Sequence, residues 1–362
     1  IKQLATLNGL SVSLRTEKPN LWSEVLGRAS YVPVLYTSSS MDFQLAYQRG
    51  HGGEWQDISI VINWNGNSVA VWPLSLSIID GVTFISSHGL PVNPPLFTED
   101  CLVVSRKRIT KICINIADTI AIKMGVSMWE STESFVNKDG FSDWHIEAMS
   151  RDVSCSVTHD SFINLQQSMA EIKRGFRKSY KSLVTSGSKN WTVGVLDSSN
   201  EKLWNEFREL HLKAAGKKTR SDETWDIHLE VIKQGKGFLV YLLNSAGKMD
   251  GAGFFNFTRD EGLYSVAAYD RSLFDKPLGH TVQYRAIKEL KDRGVRWYKL
   301  GLRPYQSEVP APSDKEVSIG KFKQGFASHM FPRFGLRHLV GVSDNQQDQQ
   351  DQQDQQDQQD QQ

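Results

Sequence analysis

Between Leu263 and Gly301 the hydrophobic pattern changes period twice. Leu263–Tyr269 is a short apolar run rich in aromatics, bounded by Glu261-Gly262 and Asp270, and predicts a strand. Asp270–Gly279 is turn-rich and carries Lys276, Pro277 and Gly279. In Thr281–Arg293 the positions Val282, Ala286, Ile287 and Leu290 recur at helical spacing, and Gly294 stops the helix. Val295–Leu300 predicts a second strand. A glycine at the start of a helix leaves backbone N–H groups and the positive end of the helix dipole open to an anion. Lys276 and His280 flank that place.

The same order occurs earlier in the chain. Leu21–Leu26 predicts a helix, and Ser38–Ser40 an N-cap for a helix over Met41–Gln48. Asp57–Trp64 reads as a strand, Asn65-Gly66 as a hairpin turn, and Val69–Leu76 as the return strand, with Pro73 at an edge or bulge. Val82–Ser86 is a third strand, His88–Pro95 a proline-rich loop, Arg106–Lys123 a helix with Ile109, Ile112, Ile116 and Ile120 on one face, and Val126–Glu130 a strand. In the second half Gly237–Leu243, Gly251–Phe257 and Leu263–Tyr269 precede the loop, helix and strand described above. Both halves read strand, strand, strand, loop, helix, glycine, strand, which predicts a duplicated α/β unit with mixed α+β sheets.

Between the halves, Ser161–Leu183 crowds Lys173, Arg174, Arg177, Lys178 and Lys181 onto one or two helix faces. Trp191–Leu196 predicts a strand and Glu201–Ala215 an amphipathic helix. Gly216–Trp225 is dense in donors: Ser221 is placed to cap the next helix with Thr224 in the box position, and Arg220 to fork onto a carboxylate or phosphate. Ser313–Ala327 keeps Ile319, Phe322 and Phe326 at helical spacing, and Phe331–Val340 is a last strand.

A chain of 362 residues suggests two domains. Its formal charge of +1 hides an asymmetry, because six aspartates lie in the Gln-Gln-Asp repeat from Asp344. Without them 42 basic residues face 35 acidic ones, leaving +7, a mildly basic body suited to an anionic ligand and not, by charge alone, to nucleic acid; no DNA partner is expected. The repeat has no apolar residue and is expected to be disordered. Cys101, Cys113 and Cys155 form no metal-binding spacing, so no metal is expected and the compartment reads as cytoplasmic. No window approaches the roughly 18 apolar residues of a membrane span. The expected domains are 1–155, 156–343 and the tail 344–362.

Four segments carry a family resemblance: Leu210–Trp225 (LHLKAAGKKTRSDETW), Ala267–Ile287 (AAYDRSLFDKPLGHTVQYRAI), Tyr298–Leu302 (YKLGL) and Ile319–Ala327 (IGKFKQGFA). They resemble the FemAB-like branch of the GCN5-related N-acyltransferase (GNAT) superfamily over roughly residues 160–340. The resemblance implies two tandem GNAT-like domains, the second better preserved, and acyl transfer to an amine in the cytoplasm. The pyrophosphate loop of acetyl-CoA enzymes is present here only as Lys276-Pro-Leu-Gly279-His-Thr281, without its second glycine. In the Fem aminoacyltransferases the donor is an aminoacyl-tRNA, and that loop is degenerate there too.

The resemblance implies residue roles. Lys323, next to Phe322, would place a cation near the reacting carbonyl. Asp270, His211 or His280 would take the proton of the amine, and Tyr269 would return one to the leaving group. Lys276, Leu278, Gly279, His280 and Thr281 would hold acyl-CoA. Arg220, Ser221, Trp225, Tyr284 and Phe322 would line the acceptor. The turn at Gly279 and the Phe322-Lys323 pair must then share one cleft. The first expectation is acyl-CoA-dependent N-acylation (N-acetylation) of an amino sugar or similar precursor of cell-envelope polysaccharide biosynthesis. A tRNA-dependent aminoacyltransferase of the peptidoglycan-bridge type is the second, favoured slightly by the basic helix. A non-catalytic module with two decayed GNAT domains is the third.

Overall fold

The computed structural model describes residues 1–133 and 140–341; the Gln-Gln-Asp tail lies outside the described residues. The first half runs α1 (Lys2–Leu7), β1 (Ser11–Leu14), α2 (Pro19–Gly27), α3 (Ser38–Arg49), β2 (Glu54–Asp57), β3 (Ile60–Trp64), β4 (Asn67–Trp72), β5 (Ser75–Ile79), β6 (Val82–Ser86), β7 (Leu96–Phe97), α4 (Val103–Lys123) and β8 (Met128–Glu133). Then come α5 (Asp143–Met149), β9 (Val153–Asn164), α6 (Met169–Gly175) and α7 (Lys178–Asn190). The second half runs β10 (Thr192–Leu196), α8 (Glu201–Ala215), α9 (Asp222–Lys233), β11 (Gly237–Leu243), β12 (Met249–Phe257), β13 (Glu261–Tyr269), α10 (Leu278–Asp292), β14 (Trp297–Leu302), α11 (Asp314–Gln324) and β15 (His329–Leu339).

An eight-stranded sheet orders the second half as β10-β11-β12-β13-β14-β9-β15-β8. Alternation along β11 shows how it is covered. Phe238, Val240 and Leu242 face the core built on α10 and α7, whereas Leu239 faces the core built on α8 and α9. On α10 the predicted stripe Val282, Ala286, Ile287 and Leu290 is fully buried, worth about 1.5–3 kcal/mol for each of the three larger side chains. The first half divides its strands between a sheet ordered β1-β3-β4-β7 and another ordered β2-β5-β6. Its core gathers on Ile109, Ile112, Ile116 and Ile120 of α4, as the helical spacing predicts. β8, from the first half, leaves both of those sheets and pairs with β15.

Several boundaries differ from the sequence reading. Asp57–Trp64 is two strands in different sheets, and Val69–Leu76 is likewise broken at Pro73-Leu74. Pro73 has no N–H to give, and the Ser59 hydroxyl accepts the Leu74 amide at 3.0 Å in place of a ladder partner. The helix after Ser38 begins at Ser38 itself, because Thr37 is the residue that caps, its hydroxyl accepting from the Ser40 amide. The Ser161–Leu183 region opens with the end of β9 and then splits into α6 and α7, α6 starting at a Ser168/Glu171 capping box. Helix α10 starts at Leu278, three residues before the expected Thr281. The Thr281 amide bonds to the Pro277 carbonyl, so Gly279 lies inside the first turn.

Two buried carboxylates lock the halves together. Asp260 accepts the Val32 amide at 2.9 Å and Arg296 at 3.0 Å. Glu261 accepts the Val34 amide and the Tyr31 hydroxyl, both at 3.0 Å. A buried carboxylate is tolerated when its lone pairs are occupied, and here the donors come from the segment that leads out of α2.

Candidate functional site

Strands β13 and β14 run parallel and pair over only three residues, Glu261–Leu263 with Trp297–Lys299. Beyond that point β13 stays with β12 and β14 turns to β9, so the two strands splay. At the same height β13 carries a bulge. Phe254 pairs with Val266 and Phe255 with Tyr264, which leaves Ser265 without a cross-strand partner. The α10 side of the splay is packed with phenols. The Tyr264 and Tyr269 hydroxyls meet at 3.0 Å, and Tyr298 donates to Gln283 at 2.6 Å. Burial pushes Tyr264 up to about 12 and Tyr269 and Tyr298 further, so all three hold their protons.

Helix α11 closes the open end of the splay. The Phe322 ring lies on Gly279, where a Cβ would stand 3.1 Å from it. The turn of α10 and the Phe322-Lys323 pair therefore meet. Tyr180 of α7 stands edge-on to His280 at 4.4 Å, and Phe322 does so at 5.1 Å. Burial, then the nearby Arg177 guanidinium, lower the His280 pKa to about 4, so its ring is neutral. On the other side of the same turn α7 comes so close that a Cβ at Gly187 would stand 1.8 Å from the Thr281 hydroxyl. Leu278 and Thr281 are buried. The amides of Gly279 and His280 have no acceptor among the described residues, and both residues are half-buried, with the Phe322 ring packed on Gly279.

Lys323 points across the splay to the opposite face. A Cβ at Gly301 would lie 3.1 Å from its Nζ, which would then have to shift slightly, and the φ of +99° is what favours glycine at this position. Arg303 fixes the last turn of α11 by donating to Gln324 at 2.7 Å. Asp160 on β9, with its side chain 2% exposed, pairs with Lys299 at 2.9 Å and also faces Lys323. Burial lowers the Lys323 pKa, and Asp160 opposes that shift. Two lysines thus share one carboxylate where the strands part, and Lys299 also sits over the Phe162 ring at 5.6 Å.

A second cluster lies between α3 of the first half and the α8–α9 corner. Arg220 is held between the rings of Phe43, at 5.6 Å, and Trp225, at 5.5 Å. It makes no ion pair among the described residues, and its buried Nη1 has no hydrogen-bond partner. His211 stands edge-on to Trp225 at 5.1 Å, and burial followed by Arg220 lowers its pKa to about 4. Ser221 occupies the cap position of α9, but its hydroxyl makes no cap bond. Thr224 instead donates to the Ser221 carbonyl at 2.7 Å. A cavity of about 480 Å³ opens here, with Arg208, Lys217, Lys218 and Arg220 among its walls. A buried guanidinium without a counterion in a basic cavity is suited to an anion.

The other expected residues lie apart from Lys323. Asp270 is at the end of β13, where Lys213 binds it at 2.8 Å and it caps Ser272. Those bonds hold its carboxyl well below the usual carboxylate range and make it a weak base. Lys276 is half exposed and paired with Asp275 at 3.0 Å. Tyr284 lies under Lys173, 5.7 Å from its ring. None of Lys173, Arg174, Arg177, Lys178 and Lys181 is in an ion pair among the described residues. The start of α7 is fastened beside Lys323, with the Arg177 amide on the Gly325 carbonyl at 2.8 Å and the Tyr180 hydroxyl on the Phe322 carbonyl at 3.3 Å. The sequence reading missed Asp160, Lys299 and Gly301. Lys299 and Gly301 lie within the YKLGL segment, but only the structure shows which face they take. Among the described residues no group of His, Cys, Asp and Glu could hold a metal ion, and no helix is long and apolar enough to cross a membrane.

No family model matches the chain, and no curated protein matches its sequence. Solved structures do match its fold. FemX superposes with a TM-score of 0.65 at 12% identity, over 87% of this chain and 95% of its own. L-PGS from Bacillus licheniformis gives 0.56 at 12%, over 91% and 93%. A conserved protein of unknown function from Bacteroides thetaiotaomicron gives 0.56 at 8%, over 89% and 96%. The chain shares the fold of FemX and L-PGS, in keeping with the FemAB-like resemblance of its motifs.

Proposed function

We propose that the chain is an acyltransferase that moves an acyl group from an ester carried by a polyanion, an aminoacyl-tRNA, onto the amine of an anionic small-molecule precursor. The observation that carries the reading is the Lys323 ammonium, buried at the mouth of splayed strands and given room by Gly301. When the amine attacks the ester carbonyl, a C–N bond forms and negative charge gathers on the carbonyl oxygen. A preorganised buried cation stabilises that charge more than water does. Collapse breaks the C–O bond, and the leaving oxygen takes the proton that the nitrogen sheds. Asp160, itself held by Lys299, faces Lys323 and favours its ammonium form, and neither residue reacts. Arg220 would bind the anionic group of the acceptor in its cavity.

Two observations support a tRNA donor. The loop before α10 lacks the second glycine of the coenzyme pyrophosphate loop, and the Phe322 ring packs on the glycine it keeps. The five unpaired cations of α6 and α7 rise beside Phe322 and Lys323, and the Fem branch that the motifs resemble draws its acyl group from aminoacyl-tRNA. A phosphate- or carboxylate-bearing amino sugar or a related cell-envelope precursor fits the acceptor, because it joins an amine to an anionic group.

The purified chain should retain aminoacyl-tRNA with a labelled acyl group on a filter and should not retain labelled acetyl-CoA. Lys323→Ala should slow transfer to an added amine by about ten- to a thousandfold while leaving retention intact. Retention of acetyl-CoA with none of tRNA would overturn the donor assignment, and full activity of Lys323→Ala would remove that residue from the chemistry.

A further inference from the structure

We infer that the start of α4 and the outer side of α5 form a docking surface for an anionic phospholipid bilayer. Leu102, Val103 and Val104 are consecutive and exposed at 74%, 52% and 80%. Three exposed apolar residues in a row work against solubility unless something covers them. Helix α5 continues the patch. Arg106 and Thr110 share a cavity wall with Ser142 and Trp144, and Arg151 reaches Asp118 at 3.0 Å, so α5 lies along α4. Phe141 just before α5, and Ile146 and Met149 on it, are also exposed. Trp144 and Ala148 of the same helix point inward, so Ile146 and Met149 are left outside its packing, while Phe141 rests one face on His145.

Charge names the occupant. Lys107, Arg108 and Lys111 are exposed on the next turns of α4, and none is in an ion pair among the described residues. Arg108 lies 5.2 Å from the Trp64 ring, which keeps its charge at the surface. The opposing acids are Glu99, Asp143, Asp100, which is taken up by Arg28 at 2.7 Å, and Glu147 and Asp118, both taken up by Arg151. An apolar tip ringed by lysine and arginine inserts shallowly into a bilayer while its cations meet lipid phosphates. A neutral protein partner would leave those cations without purpose.

The test is cosedimentation of the full chain with phosphatidylcholine vesicles and with vesicles that also contain phosphatidylglycerol. The chain should pellet with the second kind only, and added salt should release it. The double variant L102D/V104D should bind about tenfold less, and K107Q/K111Q should lose about fivefold per lysine. These variants stay folded, because the positions are exposed and aspartate is favourable in the first turn of a helix; circular dichroism checks this. K178Q/K181Q on α7 should bind as the wild type does. Failure of the wild type to pellet, unchanged binding by L102D/V104D, or loss confined to K178Q/K181Q each overturns the inference. So does a dimer in light scattering that L102D/V104D dissolves, since a second copy would then be what covers the patch.

Discussion

Asp160→Asn tests the charge arrangement at the splay. The change keeps the shape and removes one negative charge from a carboxylate whose side chain is 2% exposed. At 2.9 Å from Lys299, the attraction lost is about 6 kcal/mol at an effective dielectric constant near 20. Desolvation already offsets part of that, and Glu261 lies close enough to Lys299 to keep some compensation. Breaking a buried pair from one side costs about 3–5 kcal/mol, and the lower end applies here. At about 2–4 °C per kcal/mol, the melting temperature should fall by roughly 10 °C. A second effect has its own sign. Asp160 is the group that raises the Lys323 pKa against burial, so its loss lowers that pKa further. If transfer needs the ammonium, the alkaline limb of the rate profile moves to lower pH in the variant. The assays are thermal denaturation, transfer rate against pH, and a double-mutant cycle with Lys299→Met. Removing both partners takes away the orphaned Lys299 charge and should recover part of the lost stability, the rest staying lost because Lys323 and Glu261 each lose a partner charge. If Asp160→Asn melts with the wild type and the cycle shows no coupling, the carboxylate does not hold the two lysines and the reasoning fails.

Lys323→Met should leave the protein as stable as the wild type or more so at neutral pH. The folded-state pKa of Lys323 lies below 10.5, so the unfolded chain binds the proton more tightly, and wild-type stability relative to the variant should rise with pH between the two values in denaturation series. Gly301→Ala should cost about 1–2 kcal/mol in chemical denaturation, from its positive φ, and should also slow transfer by displacing Nζ. Gly187→Ala, which drives a methyl group into Thr281, should cost about 1–3 kcal/mol, part of it recovered by adding Thr281→Ala. His211, His280 and His338, with pKa values lowered to about 4 chiefly by burial, refuse protons that the unfolded chain accepts. Melting temperature should therefore fall as pH drops from about 6.5 toward 4, and a flat profile across that window would count against their burial.

The second half was legible because local signals there agree with tertiary packing. The α10 stripe and the Gly294 stop act within a turn of their own positions. Contact between Phe322 and Gly279 followed from motifs more than 40 residues apart, and no period in the sequence carries it. Asp160 was invisible for the same reason. It is one aspartate in a polar stretch, and its importance comes from β9 lying beside β14. The first half was harder. Its long apolar runs cross from one sheet to another at Ile58-Ser59 and Pro73-Leu74, where a serine side chain replaces a backbone partner. Asp270 was overrated because its neighbour Lys213 is 57 residues away in the chain.

Strand β8 joins β15 along six residues, and β9 runs between β14 and β15. The sheet that carries Lys299 is therefore finished by chain from the opposite side of the α5 connection. A fragment that begins after that connection lacks its last strand and presents β15 as a bare edge, open to self-association. A fragment that ends there keeps β8 with only its bridge to Val92 and without the β15 ladder. Nicking the backbone between β8 and β9 should leave a complex whose pieces stay together and work, whereas either piece expressed by itself should precipitate. Gene fusions and truncations of this protein should treat the two halves as a single inheritance.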